Sequence, residues 1–138
     1  MLNYSLNIID MKGYILNIEE ETLKNVDYRR VLYTAKHCQL VLMNIKPGED
    51  IGEEVHQLDQ FIRIESGEAK VILDDVEHSL PADFAVIIPA TAKHNIINTG
   101  DTDLKLYTIY TPPEHKDGTI VHAKEDETEE HFDGVTTE

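Results

Sequence analysis

The chain has 138 residues, with 27 Asp and Glu against 12 Lys and Arg, and a formal net charge of −15 at pH 7. Charge of that sign repels nucleic acid and anionic membrane surfaces, so neither is expected as a partner. The length fits one domain, and no apolar run approaches the ~20 residues of a membrane-spanning helix. Cys38 is the only cysteine and the N-terminus shows no signal-peptide pattern, which makes the cytoplasm the expected location.

Short apolar runs alternate with turn residues along the chain, as in an all-β sandwich or barrel. In chain order the expected strands are 14–18, 30–35, 39–45, 53–57, 60–64, 68–73, 77–80, 84–88, 94–98 and 105–110. Residues 19–24 read as a turn or loop, and 126–132 as a short helix. Ser66-Gly67 and Asp74-Asp75 suit hairpin turns, as do the breaks at Pro81-Ala82-Asp83 and Thr99-Gly100-Asp101. Pro112-Pro113 ends the last strand, because proline has no N–H for a ladder. A barrel is therefore expected over 30–112, with an N-terminal extension (1–29) packing on it or on a partner. Residues 113–138 form an acidic C-terminal tail; 114–138 hold nine carboxylates and two lysines, which reads as a solvated segment aiding solubility.

Two windows carry the chemistry. Strand side chains alternate faces, so Glu54 and His56 point the same way. Gln60 returns to that face after a tight bend, and His94 opens another strand with Ile96 and Asn98 on its own side. Glu54, His56, Gln60 and His94 are therefore candidate ligands for one divalent metal ion. Imidazole suits Zn, Fe, Ni and Cu, whereas the oxygen donors suit harder ions such as Mn. Glu53 is the rival of Glu54: parity with His56 favours Glu54, and a bulge near Gly52 would reverse the choice. His37, His78, His115, His122 and His131 read as surface or core histidines.

These windows resemble the two motifs of the cupin superfamily. The first motif runs Gly, five residues, His-x-His, three or four residues, Glu, six residues, Gly. In this chain the frame begins at Gly48 and closes at Gly67, with Glu54, His56 and Gln60 at the ligand positions. The second runs Gly, five residues, Pro-x-Gly, two residues, His, three residues, Asn, and is met by Asp83, Pro89, Thr91, His94 and Asn98. The spacing is complete; the residues depart at Glu54, Gln60, Asp83 and Thr91. The departures at Asp83 and Thr91 fall on turn glycines. Those at Glu54 and Gln60 leave one carboxylate in the set, so its charge is unchanged. The resemblance covers residues 40–110 and implies a double-stranded β-helix, or jelly-roll barrel, holding a metal. The wider chain resembles small stand-alone bacterial cupins labelled mannose-6-phosphate isomerase-like.

The resemblance implies a metal-dependent isomerase or lyase acting on a small polar molecule, a sugar, sugar phosphate or related hydroxy-carbonyl compound. Such chemistry needs a base for the α-proton. Asp59 and Glu65 have the wrong parity for the cavity, Glu54 serves only if it does not ligate, and Tyr107, Tyr110 and His115 are unplaced candidates. Lys93, beside His94, is a candidate phosphate contact at the rim. A metal-dependent dioxygenase and a non-catalytic ligand-binding barrel are the alternatives. Phe61 and Arg63 alternate outward from Gln60, Ile62 and Ile64. A phenylalanine on the outer face asks for cover, which the segment around Tyr14-Ile15-Leu16, the tail or a second subunit could provide, so a homodimer is expected.

Overall fold

The computed structural model describes residues 12–138. A short helix, α1 (Ile18–Lys24), precedes nine strands: β1 (Arg29–Thr34), β2 (Gln39–Ile45), β3 (Asp59–Ser66), β4 (Glu68–Leu73), β5 (Val76–Pro81), β6 (Ala85–Ile88), β7 (His94–Asn98), β8 (Leu104–Thr111) and β9 (Ile120–Val121). They form two antiparallel sheets, one ordered β6-β3-β8-β2-β1-β9 and one ordered β5-β4-β7. Bridges from Asp50 to Ile97 and from Glu54 to His94 lay residues 50–54 along the free edge of β7. This is a jelly roll.

The core follows the period of two. Ile62 and Ile64 of β3, and Leu104 and Leu106 of β8, face Ala69, Val71 and Ile96 of the smaller sheet, all essentially without exposure. Each large aliphatic side chain buried this way contributes about 1.5–3 kcal/mol of transfer free energy. The same alternation turns Gln60, His94, Asn98 and Thr108 inward, where polar groups need partners. Asn98 has them: its Nδ2 donates to the carbonyls of Ile45 and Thr102, stitching the smaller sheet to the end of β2.

Several local expectations are corrected. Residues 14–18 make no strand. Instead Asn17 caps α1, its side chain accepting from the Glu20 amide, and three glutamates occupy the first turn, where the helix dipole favours them. Residues 53–57 bridge β7 at Glu54 alone. The helix expected over 126–132 does not form: a single 3-10 turn, Lys124–Asp126, ends at its first residue and 127–132 are not helical. Of the breaks expected to close hairpins, Asp74-Asp75 does so, joining paired β4 and β5 with φ of +45° and +70°. Ser66-Gly67, Pro81-Ala82-Asp83 and Thr99-Gly100-Asp101 are corners where the chain leaves one sheet for the other. Gly67 suits its corner for a steric reason: at φ +92° an added Cβ would lie 2.8 Å from the Asp103 carbonyl oxygen.

The tail folds back on the barrel. Phe132 N–H donates to the Glu114 carbonyl, Thr137 N–H to the Thr34 carbonyl, and Thr34 N–H to Thr137 Oγ1. Ion pairs from Glu127 to buried Arg29 and from Lys124 to Asp50 hold the crossing between.

Candidate metal centre

Glu54, His56 and His94 converge, with one ligand atom from each lying within 4.8 Å of the others. The three come from different local structures. His94 opens β7, and its backbone exchanges both hydrogen bonds with Glu54 across the bridge, at 2.8 and 2.9 Å. His56 follows two residues on, and its carbonyl accepts from Thr91 N–H at 2.7 Å. Parity decides between the neighbouring glutamates: Glu54 reaches the cluster and Glu53 is exposed.

The donor set suits a divalent transition ion: two imidazoles and a carboxylate. His94 Nδ1 lies 3.0 Å from the Ala92 carbonyl oxygen, which only accepts, so Nδ1 is the donor there and Nε2 is the nitrogen left to ligate. His56 Nε2 and Glu54 Oε2 are 3.0 Å apart. The hydrogen bond to Glu54 raises the His56 pKa above its ordinary value; burial opposes it, and the charges of Glu54 and Glu114 and the Gln60 carboxamide support it. Gln60 lies against this group at 4% exposure. Its Nε2 donates to Thr108 Oγ1, while its Oε1 has no partner among the described residues. A buried carboxamide oxygen left unpaired is costly unless something else occupies it.

Residues beyond the two motifs complete the surroundings. Glu114 Oε2 lies 4.0 Å from His56 Nε2, and its Oε1 is 3.0 Å from His131 Nδ1. Gln39, fully buried on β2, fixes Glu114 by accepting from the amides of Glu114 and His115 and donating to the His115 carbonyl. The Tyr110 ring stands edge-on to both His56 and His115. Burial keeps the Tyr110 hydroxyl well above the ordinary tyrosine range, so it stays protonated. Burial, with the charges of Arg29, His56 and His131, pushes His115 down to about 3, so it is neutral. Glu114 was visible in the sequence only as one tail carboxylate among nine, and His131 only as an isolated histidine.

The centre opens into a cleft of about 470 Å³ walled by Glu54, His56, Leu58, Pro112, Glu114 and His131. An adjoining space of about 210 Å³ shares Glu54, Glu114 and His131 and adds Arg29, His115, Glu127 and residues 128–130. Lys93 does not line either space; its ammonium pairs with Asp75 at 2.8 Å. Of the other candidate bases, Asp59 accepts from the Ala90 amide and Glu65 pairs with Arg63. Among the described residues no helix is long and apolar enough to cross a membrane.

Residues 41–110 match the family described as "Cupin domain". A protein of Acanthamoeba polyphaga mimivirus, "Uncharacterized protein L612", is 51% identical over 112 residues, which are 78% of this chain and 70% of that one. YrkC of Bacillus subtilis is 43% identical over 122 residues, covering 83% of this chain and 66% of its own. The crystal structure of BH2720 from Bacillus halodurans superposes with a TM-score of 0.82 at 42% identity, covering 85% of this chain and 94% of that one.

Proposed function

This chain belongs to the cupin domain family, and we propose that it is a metal-dependent isomerase acting on a sugar or related hydroxy-carbonyl compound. Glu54, His56 and His94 would hold the ion, with the unpaired Gln60 Oε1 as fourth donor. An ion held there supplies Lewis acidity toward adjacent carbonyl and hydroxyl oxygens. The observation that carries the reading is Glu114. Its carboxylate stands beside the cluster rather than within it, close enough to reach a substrate bound against His56. It supplies the base that the two sequence windows lack.

In this reading Glu114 Oε2 accepts the α-proton and returns it to the neighbouring carbon, while the hydroxyl proton passes to the former carbonyl oxygen. His131 Nδ1 orients the carboxylate through Oε1, and Gln39 fixes its backbone. Glu54 keeps its ligand role and takes no part in proton transfer.

The test is proton exchange. Zinc- or manganese-loaded protein is incubated in D₂O with aldose and ketose candidates, and loss of the α-proton signal is followed by NMR. Glu114→Gln is expected to slow exchange about 100-fold or more with metal content unchanged. Equal rates in the two proteins would contradict the assignment. So would oxygen uptake by iron-loaded protein in place of exchange.

A further inference from the structure

The formal charges at the mouth of the centre are mostly negative. Glu54, Glu114, Glu127, Glu129 and Glu130 line it, and Arg29 is the only lysine or arginine among its described lining residues. Arg29 is not available to a ligand, because its guanidinium is buried and bound to Glu127. Lys93, the cation next in sequence to His94, is held away by Asp75. Even with a divalent ion in place, five carboxylates against one guanidinium and the ion leave two negative charges around the opening. Behind that opening lies the feature that points to a ligand: Glu54, His56 and His94 bring one ligand atom each within 4.8 Å of the others.

We infer that this mouth rejects anions. The substrate then carries no phosphate or carboxylate, and is an uncharged or amine-bearing hydroxy-carbonyl compound. Low-dielectric walls focus the field of the carboxylates into the cleft, so an anion meets repulsion before it meets the metal. A cationic group is drawn to the outer carboxylates, while hydroxyl or carbonyl oxygens reach the centre. Two of these carboxylates, Glu129 and Glu130, are exposed residues of the tail, which gives that segment a selective role beyond solubility. What the substrate does at the centre rests on the proposed function; the charge selection does not.

The experiment uses small nitroxides as charge probes. Paramagnetic relaxation of backbone amides is measured with a cationic amino-nitroxide and an anionic carboxy-nitroxide at low salt, on the full chain as purified. At Val55 and Gln57, on the cleft wall, the cation is expected to act about tenfold more strongly than the anion. The ratio should be smaller on β5, and should fall toward unity in high salt. The double variant E129Q/E130Q alters only exposed side chains and is expected to lower the cleft ratio about threefold. A ratio at Val55 and Gln57 no larger than on β5 overturns the inference, as does an unchanged ratio in E129Q/E130Q. Faster turnover of a phosphorylated or carboxylated substrate than of its uncharged or amine counterpart also overturns it. The nitroxides need neither metal nor turnover, so a protein without metal by elemental analysis would refute the proposed function and leave this test standing.

Discussion

Thr91 and Asp83 hold left-handed backbone, at φ +75° and +73°, where the motif resemblance places glycine. Asp tolerates this conformation, but a β-branched residue there is strained. At Thr91 the strain has a use, because its N–H donates to the His56 carbonyl and fixes the start of the ligand loop. Thr91→Gly keeps that donor and relieves the strain, partly offset by the greater freedom of glycine in the unfolded chain. It is expected to raise stability by about 1 kcal/mol, read as a higher urea midpoint at unchanged slope; a lower midpoint would show that the side chain matters more than the backbone. Residue parity is the most legible feature of the site. The period of two in extended chain is enough to separate Glu54 from Glu53, although only an isolated bridge forms there, and Gln60 from Phe61 on β3. Glu114 was illegible for a physical reason: it lies past Pro112-Pro113 in no periodic element, and Gln39, 75 residues earlier in sequence, holds it in place.

At the scale of elements, alternation over β3, β7 and β8 marked strands because one face of each is buried and the other is not. The corners were not distinguishable from hairpins, since Gly, Pro and Asp serve both. What separates them is whether the next strand pairs with the last, a long-range property. Helix α1 escaped because it is short and Thr22 is its one fully buried residue. The outer face of the larger sheet carries a ladder running Ile87, Phe61, Ile109, Leu40 and Tyr33 across five registered strands. Tyr14 stacks on Tyr33 at one end, while Ile87 at the other is 69% exposed. We propose that a second copy pairs on this ladder, covering an apolar row that Asp59 and Arg63 flank on β3. Phe61→Asp is expected to halve the mass seen by light scattering; an unchanged dimer would remove Phe61 from the interface.

Across the whole molecule, the tail is part of the site rather than an appendage. Its contacts are the two-residue strand β9 on β1, with Val121 in the core, together with scattered polar bonds and ion pairs, which leave little pattern in a sequence dominated by acid. This arrangement makes stability depend on pH in a defined direction. His115 stays neutral in the folded chain, with a pKa of about 3, whereas in the unfolded chain it titrates near ~6.5. As pH falls below ~6.5 the unfolded state takes up a proton that the folded state refuses, so stability is lost. His56 works the opposite way. Its raised pKa contributes stability that is present below ~6.5 and lost as pH rises through the folded value. Between pH 7 and 5 the His115 contribution is expected to cost about 2 kcal/mol, measured as a drop in the urea midpoint. His115→Gln should flatten that drop, and an equal drop in both proteins would exclude His115 as its source.

If Glu54, His56 and His94 together hold a metal ion, the metal content of the protein reveals it. Protein purified without an affinity tag or chelator is analysed by elemental mass spectrometry beside His94→Ala. About one transition-metal ion per wild-type chain is expected, lost in the variant with the fold intact by circular dichroism. No metal in either protein, even after reloading with zinc, manganese, iron and nickel in turn, would contradict it.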